Sequence, residues 1–187
     1  MKYFKKLIGE RIYLSPMNIE DTEKYVEWMN DFKVTDGVGR SAGLMTIEDE
    51  KEWINSASKN GDFNFAIVNI ENDKLIGNCS IMNINYQNRI GTVGIFIGDE
   101  SNRNNGYGAE TLKLLLDYGF NYLNLNNIML TVKSFNEIAI KCYEKVGFKE
   151  FGRRRESYFL NGRYYDDIHM DILANEFKGD YIKNKNI

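Results

Sequence analysis

The sequence predicts one domain of the mixed α/β class, with a single central sheet flanked by helices, and three observations lead to this prediction. The length of 187 residues suits one domain of about 150 residues with short ends. Hydrophobic residues make up 43% of the chain and charged residues 27%, which is ordinary for a soluble globular protein. The hydrophobic period changes along the chain between about 3.6 and two, as helices and strands require. We expect one domain over residues 1–187, with a core at about 10–177 and a short tail that docks or frays.

The first third of the chain predicts a strand followed by two helices. The segment RIYLS alternates as a strand does, and Asn18 can cap a helix that follows it. The glycine-rich stretch Gly37–Leu44 predicts a mobile loop. Thr46 and Asp49 approximate a capping box and predict a second helix, on which the acidic patch Glu48–Glu52 forms an exposed turn.

From Phe63 onward the sequence predicts a sheet interrupted by two more helices. FNFAIVNI, KLIGNCSIMNIN and RIGTVGIFIG read as three strands; the third ends at Gly98, and Gly94 inside it suggests a bulge or a close approach of another group. AETLKLLLDYGFNYL predicts a helix, NIMLTV a strand, and NEIAIKCYEKV a helix ended by Gly147. The remaining segment predicts a hairpin that turns at Asn161–Gly162.

Composition excludes several classes of protein. The formal net charge of −3 gives no general attraction to nucleic acid, and the run Arg153–Arg155 predicts a solvated strand end. Cys79 and Cys142 have no CxxC spacing, which argues against a disulfide framework or zinc site and fits a reducing compartment. No apolar run suits a signal peptide or a membrane span. We expect a cytoplasmic protein with neither nucleic acid nor membrane as a partner.

A metal site and a cysteine nucleophile are both disfavoured. Asp167, His169 and Asp171 alternate along a predicted strand and would share one of its faces. A solvated sheet face explains this pattern better than a metal does, so no metal is predicted. Because His169 is the only histidine, a cysteine–histidine nucleophile has little support.

The stretch Arg103–Gly108, RNNGYG, joins a predicted strand to a predicted helix and carries one cation and no carboxylate. Unpaired N–H groups at a helix start point at one spot, and glycines let an anion come close, so the turn suits a phosphate. It is not a P-loop, because no lysine precedes a serine or threonine here. It is not a dinucleotide fingerprint, because Thr111 stands where the third glycine belongs. Taken alone, an ordinary turn between strand and helix explains it equally well.

A second motif, NEIAIKCYEKVGF, follows about thirty residues later. Asn136, Ala139 and Tyr143 are three and four residues apart and therefore lie along one helix face. Asn136 suits the N-cap position of that helix. A lone tyrosine at such a position is more often a core residue than a functional group.

Together the two motifs resemble those of the GNAT superfamily of acetyl-CoA-dependent N-acetyltransferases. In that family Q/R-x-x-G-x-G/A binds the cofactor diphosphate, and N-x-x-A-x-x-x-Y-x-x-x-G-F carries a proton donor; both patterns are complete here. The opening GERIYLSPMNIEDTEKYVEWMND and the closing NGRYYDDIHMDIL look like the RimJ/RimL branch, which acetylates protein N-termini among other amines. The resemblance covers the chain from about Glu10 to Phe177.

The resemblance implies a role for each motif. The strand before the turn would splay from its neighbour and offer its backbone to pantetheine, and backbone amides of the turn would hold the diphosphate. Asn136 would contact the cofactor arm, and Tyr143 would protonate the departing thiolate as the catalytic acid. The implied cofactor-binding residues are Ile95, Phe96, Ile97, Arg103, Asn104, Asn105, Gly106, Tyr107, Gly108 and Asn136.

Relatives often carry a glutamate on the splayed strand where this chain has Thr92. This departure leaves no strand-borne general base at that position, and the remaining options are a water chain, Asp166 or Asp167. An α-amine of pKa near ~7.8 loses its proton at pH 7 for about 1 kcal/mol, against about 4.6 kcal/mol for a lysine-like amine near ~10.4.

These points predict an enzyme that transfers acetyl from acetyl-CoA to a primary amine by direct attack in a ternary complex. A protein or peptide N-terminal α-amine is favoured because it needs the least help from a base. The alternatives are a small amine, such as a polyamine, an amino sugar or an aminoglycoside, and a non-catalytic module that senses acetyl-CoA. The expected partners are acetyl-CoA, the amine-bearing acceptor and, as one option, a second copy of the chain in a homodimer.

Overall fold

The computed structural model of the protein describes residues 2–57 and 61–184 and is built on one sheet of eight strands. The strands are β1 (Leu7–Ile8), β2 (Ile12–Pro16), β3 (Phe63–Asn69), β4 (Leu75–Asn85), β5 (Ile90–Ile97), β6 (Asn127–Lys133), β7 (Lys149–Leu160) and β8 (Arg163–Leu173). Their order across the sheet is β1-β2-β3-β4-β5-β6-β8-β7. Every neighbouring pair is antiparallel except β5 and β6, which are parallel, so the predicted mixed sheet is confirmed.

Helices of the described chain flank this sheet. They are α1 (Thr22–Met29), α2 (Phe32–Val38), α3 (Ile47–Ala57), α4 (Tyr107–Asn121) and α5 (Glu137–Val146), with 3-10 turns at Ile19–Asp21 and Glu100–Asn102. On α4, Leu112, Leu115 and Leu116 are fully buried in the main core against the sheet. None of the described helices is long and apolar enough to cross a membrane.

The first predicted helix divides into two elements. Asn18 caps as predicted, but its Oδ1 accepts from Glu20 N at 2.9 Å to begin a 3-10 turn. The helix α1 starts only at Thr22. The capping residue was therefore predicted correctly, and the type of helix that it begins was not.

The loop predicted at Gly37–Leu44 begins later than predicted, because α2 continues to Val38. Asp31 caps α2 by accepting a backbone N–H of its first turn at 2.9 Å, and Gly39 ends it with a φ of 72°. The local sequence disfavours a helix, since it contains a glycine and several β-branched residues. Packing of Val34, which is 4% exposed, in a cluster with side chains of α1 and α3 stabilises α2 instead.

Two turn predictions are confirmed. At the start of α3, Asp49 N donates to Thr46 Oγ1 at 3.1 Å and Thr46 N donates to Asp49 Oδ2 at 3.2 Å, which is the predicted capping box. The β7–β8 hairpin turns at Asn161 and Gly162, whose φ angles are 49° and 77°. Both features depend on a few adjacent residues, which is why the sequence predicts them well.

Gly98, just after the end of β5, marks a close approach of another side chain. A Cβ at this position would lie 2.0 Å from the ring of Trp28, which is 2% exposed. The Trp28 ring also packs edge-on against Phe96 at 5.9 Å, and its Nε1 donates to Asp99 Oδ1 at 2.9 Å. The end of β5 is therefore held tightly against α1.

The described part of the tail docks on the core. Asp117 of α4 is fully buried, and its Oδ2 accepts from Tyr181 N at 2.7 Å and from Ile182 N at 3.0 Å. Lys183 N donates to Ile8 O of β1 at 2.7 Å. The packed structure thus continues beyond residue 177, where the predicted core ends.

Glu50 contradicts the prediction that the whole patch Glu48–Glu52 is exposed, because the residue is only 3% exposed. Its neighbours in the patch do face solvent. Burial raises the pKa of Glu50 to about 7, and the positive charge of Arg40 opposes this shift. The carboxyl group of Glu50 is therefore buried without an ion pair that fully offsets the cost of burying its charge.

Replacing Glu50 by glutamine is expected to remove a pH dependence of stability. The folded pKa is about 7 and the unfolded value is 4.5, so the folded state binds more protons between these values. Stability therefore falls as pH rises through this window. Glu50→Gln should raise the free energy of unfolding at pH 8 by about 2 kcal/mol and change it little at pH 5, as measured by urea denaturation. Glu52→Gln, an exposed neighbour, is the control, and equal stability of wild type and Glu50→Gln at pH 8 would contradict the expectation.

Candidate active site

β5 and β6 separate after three residue pairs. The parallel register joins Ile90, Gly91 and Thr92 to residues 127–129 and ends there. From Val93 onward the edge of β5 that faces β6 is open. This is the splayed pair of strands that the sequence predicted, and it leaves backbone N–H and C=O groups without a neighbouring strand.

Pairing with β4 decides which residues of β5 face the opening. Gly98 N donates to Ile76 O at 2.9 Å. Because hydrogen-bonded pairs alternate along an antiparallel ladder, even-numbered residues of β5 turn their backbone groups toward β4. The residues that turn theirs toward the opening are Val93, Ile95 and Ile97.

Phe96 does not have the backbone orientation that the sequence predicted. Its backbone pairs with Asn78 of β4, and its ring packs on Trp28 on the other face of the sheet from the α4 core. Ile95 and Ile97 stay candidates for pairing with an extended ligand, and Val93 joins them. The alternation of a strand, with period two, makes three consecutive residues unsuitable for this role.

The glycine turn presents a row of unpaired backbone donors. Among the described residues, none accepts a hydrogen bond from the N–H groups of residues 104–109. Asn104 and Gly106 have φ angles of 60° and 82°, and Gly106 is the N-cap of α4. These donors and the positive end of a fifteen-residue helix converge on one place, which favours an anion there.

Arg103 holds the turn in place, and its guanidinium is largely occupied by carbonyl groups. Nε donates to Ile97 O at 3.1 Å and Nη2 to Gly98 O at 2.7 Å. Nη1 donates to Lys33 O at 2.8 Å. Arg103 N donates to Glu100 O at 3.0 Å, so it is not one of the free amides. Arg103 therefore ties the turn to the end of β5 and the start of α2, and its predicted role in cofactor binding stays a prediction.

A second arginine, Arg11, lies at the same turn and was not predicted. Its Nη1 donates to Asn105 O at 2.8 Å, and its guanidinium lies over the ring of Tyr107, 5.0 Å from the centroid. Arg11 precedes β2 and reaches the turn only because the sheet brings the start of β2 next to α4. No local pattern around Arg11 indicates this contact.

The helix α5 begins and ends as predicted. Asn136 Oδ1 accepts from Ala139 N at 3.2 Å, and Gly147 ends the helix with a φ of 117°. Asn136 Nδ2 points toward Gly37 O at 3.5 Å, so the side chain links α5 to the end of α2. Gly37 lines the opening between β5 and β6, so Asn136 lies next to a wall of that opening, and its predicted contact with a cofactor arm stays a prediction.

Tyr143 lines a cavity of about 230 Å³ in the opening between the splayed strands. Its ring packs against Phe148 with centroids 6.1 Å apart. Burial raises the pKa of Tyr143 above its usual value, and the neighbouring Cys142 adds to the shift. The other residues around the cavity are Gly37, Val38, Val93, Gly94, Ile95, Leu130, Thr131, Val132 and Lys133.

The two aspartates considered as general bases are both engaged. Asp167 forms an ion pair with Lys133 at 2.6 Å, with both side chains less than a fifth exposed. Burial raises the pKa of Asp167, but hydrogen bonds from Lys133 and Ser157 outweigh burial and lower it overall. Asp166 Oδ1 accepts from Glu156 N at 2.9 Å. Both carboxylates therefore already have partners within the protein, and Thr92 carries no carboxylate in their place.

A larger cavity of about 580 Å³ lies between the α2 end and the β7–β8 hairpin. Lys133 and Tyr158 stand between the two cavities, with Lys133 Nζ 4.5 Å from the centroid of the Tyr158 ring. Among the described residues that line the larger cavity there is no carboxylate, and Arg40 is the only charged side chain. The lining consists of Met29, Phe32, Gly39, Arg40, Ser41, Ala42, Gly43, Leu44, Met45, Tyr158, Phe159, Leu160 and Asn161.

His169 shares a strand face with Asp167 and Asp171, as predicted, but the three side chains bond to different partners. His169 Nδ1 lies 3.1 Å from Thr131 Oγ1, and Asp171 Oδ2 accepts from Asn127 Nδ2 at 2.7 Å. Within residues 2–57 and 61–184, no three histidine, cysteine or acidic side chains are grouped to hold a metal ion.

Comparison with known proteins agrees with this geometry. The profile of the Acetyltransferase (GNAT) domain family matches residues 14–169. An uncharacterized N-acetyltransferase p20 of Bacillus licheniformis is 30% identical over 176 residues, which cover 92% of this chain and 98% of that protein. Spermidine N(1)-acetyltransferase of Vibrio cholerae is 36% identical over 111 residues, which cover 59% of this chain and 64% of that protein.

A solved structure extends the comparison to the fold. The crystal structure of spermidine N-acetyltransferase from Vibrio cholerae in complex with CoA and spermine superposes with a TM-score of 0.81. The sequence identity is 26%, and the superposition covers 89% of this chain and 97% of that one. The predicted fold, a splayed mixed sheet flanked by helices, is confirmed.

Proposed function

The chain belongs to the GNAT acetyltransferase family, and from this premise we propose that it acetylates the N-terminal α-amine of a protein or peptide. N-acetyl transfer with acetyl-CoA as the donor follows from the family. The nature of the acceptor is the proposal. The observation that carries it is the larger cavity, whose described lining is mainly apolar and contains no carboxylate.

The turn at residues 104–109 supports the proposed place of the cofactor. A diphosphate is a compact anion, and the free N–H groups of this turn can surround it without loss of any existing hydrogen bond. The open edge of β5 offers Val93, Ile95 and Ile97 to an amide-bearing chain such as pantetheine. A ligand that follows both features reaches the cavity lined by Tyr143.

The charge of the larger cavity supports an acceptor with a single amine. A polyamine carries several positive charges at pH 7, and their removal from water requires carboxylates as partners. The described lining supplies none, and Arg40 would repel such a molecule. A peptide whose first residues are apolar suits the walls of this cavity better. The methionine, leucine and phenylalanine side chains of the cavity can pack against the apolar side chains of such a peptide.

The engagement of both aspartates considered as general bases supports the same conclusion. Thr92 stands on the splayed strand, and Asp167 is held ionised by Lys133. An α-amine near pKa ~7.8 is neutral in a substantial fraction at pH 7, whereas an alkyl amine near ~10.4 is almost fully protonated. The acceptor whose proton is lost most easily therefore suits this site best.

A polyamine acceptor is the second candidate, since two of the comparisons are with spermidine N-acetyltransferases. A module that only senses acetyl-CoA finds no support among relatives that are named N-acetyltransferases. We also propose membership of the RimJ/RimL branch, one domain over the whole chain, a homodimeric assembly and a cytoplasmic location. Gel filtration with light scattering would test the dimer.

A matched panel of acceptors tests the proposal. Release of the free thiol of coenzyme A would be followed with a peptide that begins Met-Leu, with the same peptide N-acetylated and carrying one lysine, and with spermidine. At pH 7 we expect kcat/KM to be at least about 10-fold higher for the free α-amine than for either other acceptor. A preference for spermidine would instead assign the chain to the polyamine class.

Reversal of the cavity charge gives an independent check. Arg40→Glu should raise kcat/KM for spermidine by about 10-fold or more. The substitution replaces a positive charge by a negative charge, and the bound polycation is then attracted where it was repelled. Lys74→Glu makes the same change in net charge on an exposed turn far along the chain and serves as the control. If Arg40→Glu and Lys74→Glu behave alike with spermidine, the larger cavity does not receive the acceptor.

A further inference from the structure

Arg11 occupies a place at the cofactor turn that the family motifs do not specify. Its Nη1 donates to Asn105 O at 2.8 Å and its Nε donates to Glu110 Oε2 at 3.0 Å. The guanidinium lies 5.0 Å from the centroid of the Tyr107 ring. A Cβ on Gly106 would lie 3.2 Å from Arg11 Nη2, so the side chain lies directly against the turn.

The contact with Asn105 O fixes the orientation of one peptide group. In a trans peptide the C=O and the following N–H point in opposite directions. Since Asn105 O points toward Arg11, the N–H of Gly106 must point away from it. Gly108 lies on the other side of the turn, where a Cβ would meet Cys142 of α5 at 3.8 Å. Arg11 therefore aims the Gly106 N–H toward the side of the turn that α5 borders.

Glu110 makes the position of Arg11 well defined. Its Oε1 accepts from the backbone N–H groups of Glu10 and Arg11, both at 2.8 Å, while Oε2 accepts from Arg11 Nε. This carboxylate is in the first turn of α4, close to where an anion would bind, and is only 15% exposed. The positive charge of Arg11 offsets a negative charge that would otherwise repel a phosphate.

Arg11 also has donors left over. A guanidinium carries five N–H groups, and the described contacts use two of them. The side chain is half exposed, so the remaining groups are accessible at the edge of the turn. Arg103, by comparison, uses three donors on carbonyl groups of the protein.

We infer that Arg11 is a positioning residue for the diphosphate of acetyl-CoA, which orients the Asn105–Gly106 peptide toward the anion and neutralises Glu110. This inference rests on the proposed place of the cofactor at the turn. It adds a residue from the start of β2 to a site that is otherwise built from β5, α4 and α5. The role concerns binding of the diphosphate, and the chemistry at the thioester is not affected by it directly.

The experiment compares two acetyl donors, of which only one carries the nucleotide and its diphosphate. S-acetylpantetheine keeps the thioester and the pantetheine arm but lacks the nucleotide and its diphosphate, so its KM reports the rest of the site. For Arg11→Gln we expect the KM for acetyl-CoA to rise about 10-fold, and the preference for acetyl-CoA over S-acetylpantetheine to fall by the same factor. A general loss of structure would raise both KM values and leave that preference unchanged.

Two further variants sharpen the test. Arg89→Gln removes an arginine that likewise donates to a backbone carbonyl, Asn124 O at 2.7 Å, at a turn away from the site, and should keep the wild-type preference. Arg11→Lys keeps the charge that neutralises Glu110 but cannot hold Asn105 O and Glu110 together, so its preference should lie between those of Arg11→Gln and the wild type. A lysine variant with the wild-type preference would overturn the positioning role.

The outcomes separate this inference from the proposal on which it rests. If the wild type does not distinguish acetyl-CoA from S-acetylpantetheine, the diphosphate is not held at the turn and the proposed cofactor site is wrong. If the wild type distinguishes them and Arg11→Gln does so equally well, only the inference about Arg11 is wrong.

Discussion

Replacing Tyr143 by phenylalanine is expected to lower kcat about 100-fold with little change in the KM for acetyl-CoA. The side chain lines the cavity between the splayed strands, and burial raises the pKa of its phenol above the usual value. A phenol of raised pKa is a weaker acid than the thiol that leaves, near ~8.5, so complete proton transfer is uphill. Tyr143 would act chiefly by donating a hydrogen bond to the developing thiolate. The expected loss of kcat is therefore at the lower end of the rate enhancements that general acid catalysis gives.

The direction of this pKa shift gives the expected pH behaviour. Because the pKa of Tyr143 is raised, the phenol stays protonated throughout the range from about pH 6 to 9. The ratio of wild-type to Tyr143→Phe kcat should therefore be constant over that range, as measured by release of the coenzyme A thiol. Tyr122→Phe, which removes a hydroxyl from a half-exposed tyrosine at the end of α4, is the control and should leave kcat unchanged. Unchanged turnover of Tyr143→Phe at every pH would show that another group, such as water, protonates the thiolate.

Replacing Asp117 by alanine should destabilise the fold by about 3 kcal/mol. The carboxylate is fully buried and accepts from Tyr181 N and Ile182 N, the two amides that anchor the tail. Its Oδ1 also accepts from Asn121 Nδ2 at 2.9 Å. Without this side chain the donors lose their acceptor in a place that water reaches poorly, and Ile182, which is 5% exposed, is no longer held in the core.

Urea denaturation measures this loss, and limited proteolysis locates it. The tail of Asp117→Ala should be cleaved at Lys183 under conditions in which the wild type is resistant, since release of the tail exposes that bond. Asp117→Asn keeps one acceptor oxygen of the same size and should lose about half as much stability. If the alanine variant lost less than about 1 kcal/mol, the tail would contribute little and the buried carboxylate would need a different explanation.

Local sequence predicts some features of the candidate site and does not predict others. Asn136 and Gly147 bound α5, and Gly106 caps α4, because each depends on hydrogen bonds or φ angles within a few residues. The role of Arg103 could not be predicted so well. Its guanidinium contacts Lys33 O, and that carbonyl lies far away in the chain. A motif identifies the residue type at the turn but not the direction in which a long side chain points.

Sequence by itself determined the class of fold, most of its strands and helices in their order, the glycine turn and the family, because periodicity and short motifs express constraints that act over one turn or one strand. The tertiary structure alone decided that Glu50 is buried, that Arg11 meets Asn105, and that Phe96 turns its backbone to β4. It also decided that the larger cavity has no carboxylate in its described lining. The physical reason is the same in each case. Burial, charge and orientation depend on which distant segments pack together, and no local pattern of residues contains that information.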